Sequence, residues 1–159
     1  MLGDKRSGKI VLVAHCVLNQ NARVMGLAVK PGAIAEVVDF LVRCGVGIVQ
    51  MPCPEFAFAG LLRQPKTREQ YNNVAFREHC RSIAVEIANQ IREYVKGGVK
   101  LMLVVGVDES PSCGVKEPSG IFMEELRFAL DRIGVSVPFC GIHLENLGEN
   151  VAEVGKHIK

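Results

Sequence analysis

Three cysteines in this chain each stand just beyond an apolar run: Cys16 after Ile10-Val11-Leu12-Val13-Ala14, Cys53 after Val46-Gly47-Ile48-Val49, and Cys113 after Leu101-Met102-Leu103-Val104-Val105. Such runs read as buried strands. In an open parallel α/β sheet the carboxyl ends of the strands share one edge, where residues distant in sequence meet on a ligand crevice. Three thiols gathered there make a metal site or a nucleophile cluster.

Each thiol has neighbours that suit such chemistry. In Met51-Pro52-Cys53-Pro54-Glu55 the two prolines fix φ on either side of the cysteine, which gives a stiff mount for a ligand. Glu55, two residues on, faces the same crevice if the chain stays extended, and is a candidate general acid or base. In Ser110-Pro111-Ser112-Cys113-Gly114 the hydroxyls of Ser110 and Ser112 offer hydrogen bonds to sulfur or to a bound anion, and Gly114 permits close backbone approach. A plain turn would also draw on Ser, Pro and Gly. Around the first cysteine, His15, Asn19, Asn21 and Arg23 are the candidate substrate contacts. Neighbours in an extended strand point to opposite faces, so direct His15–Cys16 pairing is not expected. Asn19 and Asn21 either orient a substrate carbonyl or ring nitrogen, or hydrogen-bond their own turn.

The elements that must position these residues alternate regularly. β-branched runs at about 9–15, 46–52, 99–107 and 135–142 are separated by segments of helical spacing at about 33–44, 70–96, 120–133 and 148–157. This is the βαβ pattern of a parallel sheet. It predicts a single α/β domain over 1–159, a three-layer α/β/α sandwich of flavodoxin-like type with strand order 2-1-3-4. The stretch from Pro54 to Glu69 reads as one long irregular loop, and its basic part, Arg63 to Arg68, as a solvated loop that could also close over the crevice and meet an anionic substrate. Cys44 and Cys80 continue helical apolar stripes and read as small buried hydrophobes. Cys140 falls near the same sheet edge, on the strand face opposite Val135, Val137 and Phe139.

Composition excludes several classes. A formal net charge of +2, with both signs interspersed, gives no basic stripe for a nucleic-acid duplex. No segment reaches the roughly 20 apolar residues of a membrane span. The charged-then-apolar start resembles a signal peptide, but His15 and the Asn19–Asn21 run interrupt it without a small-residue cleavage site. Six cysteines outside a short, loop-rich pattern are expected to be reduced thiols in a cytoplasmic protein. There is no P-loop, no G-x-G-x-x-G after the first strand and no C-x-x-C pair. The C-x5-R phosphate loop of small tyrosine phosphatases fails too, since Cys16 and Arg23 are spaced C-x6-R.

Structural zinc takes four closed ligands, and only three thiols are well placed. A [4Fe-4S] cluster held by three cysteines leaves one iron open to a substrate, and thiolates suit such clusters. Ligands drawn from three strand ends, rather than from one close run, fit a catalytic cluster better than an electron carrier. The motifs His15-Cys16-x-Leu18-Asn19-x-Asn21, Cys53-Pro54-Glu55 and Ser110-Pro111-Ser112-Cys113-Gly114 together resemble the thiouracil desulfidase family, over nearly the whole chain. The resemblance implies Cys16, Cys53 and Cys113 as ligands of a [4Fe-4S] cluster and Glu55 as the acid–base residue. It implies Ser110, with Ser112 as a substitute, as donor to the departing sulfur, and a small thiolated molecule as substrate, desulfurated without redox chemistry. The chain departs from that family's better-known branch at His15, Asn19-Gln20-Asn21 and Ala22-Arg23, which leaves substrate identity open. Two other readings stand beside it: a non-catalytic iron–sulfur or zinc-binding protein, and a cysteine hydrolase.

Overall fold

A computed structural model describes residues 3–158. Four strands form one parallel sheet in the order β2-β1-β3-β4, as the sequence predicts. They are β1 (Lys9–Ala14), β2 (Gly47–Met51), β3 (Lys100–Val107) and β4 (Phe139–Ile142). Residues 10–14 and 101–107 are buried throughout, because β1 and β3 are the inner strands and are covered on both faces. β2 and β4 are the edges; β4 alternates in exposure, and β2 is buried only at Met51.

The helices are α1 (His15–Leu18), α2 (Ala35–Arg43), α3 (Pro54–Ala59), α4 (Arg68–Tyr71), α5 (Val74–Lys96), α6 (Ile121–Arg132) and α7 (Leu147–Ile158). The chain steps one way from β1 to β2 and back the other way to β3 and β4. Right-handed crossovers therefore put α2 on one face and α5 and α6 on the other. The packing agrees: α5 lies along α6, and α7 joins α2. The apolar stripe Val37–Leu41 of α2 and the stripe Cys80, Ala84, Ile87, Ile91 of α5 are buried against the sheet.

Four boundaries differ from the sequence reading. The expected helix over 70–96 is two helices, because Asn73 leaves the helical conformation and its side chain accepts from Phe76 N at 2.9 Å, capping α5. The last strand begins at Phe139, not 135; Pro138, with no N–H to give, precedes the ladder. The stretch after Cys53 is irregular only over 60–67, since Pro54 opens α3 at a first-turn position that proline favours. α4 starts at a Thr67–Gln70 capping box. Cys80 is buried as expected, but Cys44 is exposed, because it follows the last turn of α2 as its cap. Among the described residues no helix is long and apolar enough to cross a membrane.

Candidate functional site

The carboxyl ends of β1, β2 and β3 converge as the strand order requires, and Cys16, Cys53 and Cys113 line one cavity of about 190 Å³. Glu55, Glu109, Ser110, Ser112, Arg23, Arg63 and Lys66 complete the polar part of its wall. The volume lies below the roughly 300–1,000 Å³ of sites for drug-sized ligands, so the cavity suits something small.

Each thiol is held by its own local device. β1 ends at Ala14 and the chain turns at once into α1, which carries Cys16 toward the cavity while His15 packs its ring near Phe56, with centroids 6.3 Å apart. Cys53 is the cap of α3, and its Sγ accepts from Phe56 N at 3.4 Å. The chain is thus helical after Cys53 rather than extended, and Glu55 reaches the cavity from the first turn of α3. Cys113 sits in a loop folded back on β3: Val107 N donates to Cys113 O at 3.0 Å, and a Cβ at Gly106 would overlap that carbonyl. Gly120 is constrained in the same way against Ser112 O. Ser110 Oγ accepts from Cys113 N at 3.1 Å and from Ser112 N at 3.4 Å, which pins the loop from inside.

All the cysteines are free thiols, and burial raises those in the cavity. Cys16 is pushed up to about 11, chiefly by burial, with Arg23 pulling the other way. Cys53 is raised by burial, against the Phe56 amide. Cys113 is raised well above the usual thiol value by burial and then by the charges of Cys53 and Cys16. Each of the three therefore lies electrostatically within reach of another. Thiols so raised are poor free nucleophiles at neutral pH, whereas a bound metal strips the proton outright. Among the described residues no three His, Cys, Asp or Glu side chains gather tightly enough to hold a single ion.

Glu55 is buried, 8% exposed, and firmly held. Ser112 Oγ donates to Glu55 Oε2 at 2.6 Å and also stands 3.7 Å from Cys113 Sγ. Arg63 Nε lies 3.5 Å from Glu55 Oε1, while the other guanidinium nitrogens of Arg63 donate to Gly60 O and Ala22 O, each at 3.0 Å. Arg63 is thus part of the site wall, not of a solvated loop. Arg68 is also tied down, donating to Ser119 O at 2.7 Å and pairing with Glu124. Arg23 lines the cavity, and one of its terminal nitrogens is buried without a partner.

His15, Asn19 and Asn21 do not line the cavity. Asn19 Oδ1 accepts from Asn21 N at 3.1 Å and from Asn21 Nδ2 at 3.0 Å, so these two serve their own turn. Cys140 is buried on β4 away from the cavity lining.

The chain matches the family described as "Putative 2-thiouracil desulfurase" over residues 8–129. It belongs to that family. It is also 36% identical over 129 residues to the uncharacterized protein MJ0003 of Methanocaldococcus jannaschii, covering 81% of this chain and 82% of that one. No solved structure matches it significantly. The matched span of this desulfurase-family chain holds all three cavity cysteines, Glu55 and the Ser110–Ser112 loop.

Two parts of the site were missed in the sequence. The side chain of Asp108, just beyond β3, is buried, pairs with His143 Nε2 at 2.9 Å, and accepts from Val115 N at 3.2 Å and Lys116 N at 3.3 Å, so it closes the loop that carries Cys113. Tyr71, at the end of α4, lies beside Glu55 and Arg63. The Thr67–Gln70 capping box was a local signal for α4, but nothing local says where its last residue points.

Proposed function

We propose that this protein is a [4Fe-4S]-dependent, non-redox desulfidase acting on a small thiolated compound such as a thionucleobase. The observation that carries the reading is the meeting of three free thiols from three strand ends with a buried Glu55–Ser112 pair on one small cavity. Cys16, Cys53 and Cys113 are the residues that would hold the cluster. The donor set fits it: three free thiols line one cavity, and thiolates are the ligands that suit iron–sulfur clusters. When bound, the cluster supplies an open iron, a Lewis acid for a thiocarbonyl sulfur.

The protein's own groups do the rest. Glu55 faces the cavity and takes a proton from the attacking water, whose oxygen replaces sulfur at the thiocarbonyl carbon while sulfur leaves as hydrosulfide. Ser112 holds the carboxylate by donating to it, and Ser110 holds the loop by accepting from its amides, which leaves the Ser110 proton to be donated. Arg23 brings an unpaired donor to the wall, which can meet an acceptor atom of the substrate. A cysteine hydrolase is less well supported, because the cavity thiols are raised and no histidine lines the cavity.

The test is anaerobic reconstitution followed by substrate challenge. About four irons and four sulfides per chain are expected, with hydrosulfide released from thiopyrimidines or thioamides. Protein that takes up no cluster, or a loaded protein that releases nothing from any of them, overturns the reading.

A further inference from the structure

Tyr71 is 1% exposed, and its hydroxyl is buried with no partner in full hydrogen-bond geometry, although Glu55 acts on it as an acceptor as well as a charge. Native interiors seldom leave such a group unpaired. Its ring is fixed, with its centroid 4.4 Å from that of Phe76, and Lys66 Nζ lies 5.6 Å above it. The groups that face the phenol are Glu55, Arg63 and Cys53, with Lys66 over the ring. Arginine and lysine only donate and a thiol sulfur accepts weakly, so Glu55 is the one strong acceptor among them. Burial, and next the Glu55 charge, push the phenol up to about 12, so it keeps its proton at working pH. Glu55 also has room for it: Oε2 takes the Ser112 proton and Oε1 faces Arg63, while an ionised carboxylate has about four acceptor sites.

We propose that Tyr71 is a positioning residue for Glu55: its hydroxyl donates to the carboxylate and, with Ser112 and Arg63, fixes the direction in which the carboxylate meets a substrate. The inference rests on the acid–base role given to Glu55 above. It assigns a task to α4, which otherwise stands apart from the sheet edge. The three groups come from separate places: Ser112 from the loop after β3, the Arg63 charge from the segment after α3, and Tyr71 from α4. A carboxylate held from three sides has few rotamers left, and geometry held before substrate arrives is worth rate rather than affinity.

The chain has two tyrosines and no tryptophan, which makes the phenol directly readable. In metal-free Tyr94→Phe protein, ultraviolet resonance Raman spectroscopy reads Tyr71 alone. The expected tyrosine doublet ratio is that of a strong proton donor, shifted toward a weaker one when Glu55→Gln is added. The ratio of a non-bonded phenol, or one that Glu55→Gln leaves unmoved, overturns the contact. In reconstituted protein with 2-thiouracil as probe, Tyr71→Phe is expected to lower kcat about tenfold, the scale of one hydrogen bond to a charged group, with KM, iron content and cluster absorption unchanged. An unchanged kcat overturns the positioning role. Wild-type protein inert toward thiopyrimidines and thioamides counts against the desulfidase reading itself, and the Raman measurement still decides the contact because it needs no turnover.

Discussion

The contact most open to attack is the 2.6 Å bond from Ser112 Oγ to Glu55 Oε2, since both side chains are buried and the substitution Ser112→Ala removes only the hydroxyl. A hydrogen bond to a charged group contributes about 1.5–3 kcal/mol. Water cannot readily replace the lost donor, because Ser112 is 1% exposed and Glu55 8%. Arg63 at 3.5 Å offsets part of the loss, so about 2 kcal/mol is expected. For a chain of 159 residues this lowers Tm by about 4–8 °C. The assay is thermal or urea unfolding of the metal-free, reduced protein. Ser110→Ala is the control: Ser110 Oγ accepts from backbone amides at 3.1 and 3.4 Å and lies 3.4 Å from Ser112 Oγ but does not bond the carboxylate, and its loss should cost about 1 kcal/mol. A Ser112→Ala loss below about 0.5 kcal/mol, or one no larger than the control's, refutes the claim that this bond holds the carboxylate.

Cys16→Ser, Cys53→Ser and Cys113→Ser should each cut the iron bound on anaerobic reconstitution, whereas Cys44→Ser, at an exposed position outside the cavity, should not; iron analysis against protein concentration decides. In native metal-free protein at pH 8 a thiol reagent should consume Cys44 first and Cys16 far more slowly, because burial keeps Cys16 protonated up to about 11. The same shift has a stability consequence: the folded state holds a proton that the unfolded thiol gives up near its usual value of 9.0, so Cys16 favours folding below pH 9, and that contribution is lost as pH rises from about 9 to about 11. Cys16→Ser should flatten that limb of the unfolding profile. Asp108→Ala should speed hydrogen exchange at the amides of Val115 and Lys116 at least tenfold, the equivalent of about 1.4 kcal/mol, while leaving exchange in α5 unchanged.

The sequence by itself determined the sheet. Apolar runs separated by helical stripes can bury themselves only as a parallel α/β layer, and handedness then leaves few strand orders. Once the order 2-1-3-4 follows, the thiols after β1, β2 and β3 must share an edge, so the meeting of Cys16, Cys53 and Cys113 was legible from spacing alone. Glu55 was named for the right place by the wrong path, because a proline at the first turn opens a helix where an extended chain was expected.

Tertiary structure alone decided who holds Glu55. Arg63 belongs to a stretch that reads as a solvated loop and Tyr71 to the start of an expected helix; only the fold brings Arg63 against the Ala22 carbonyl and Glu55, and the Tyr71 ring onto Phe76 across the break between α4 and α5. Asp108 and His143 meet across two strands, and Asn19 and Asn21 turn inward on one another rather than toward the cavity. Periodicity records which face of an element is buried; it carries no information about which polar side chains find one another once the elements are stacked.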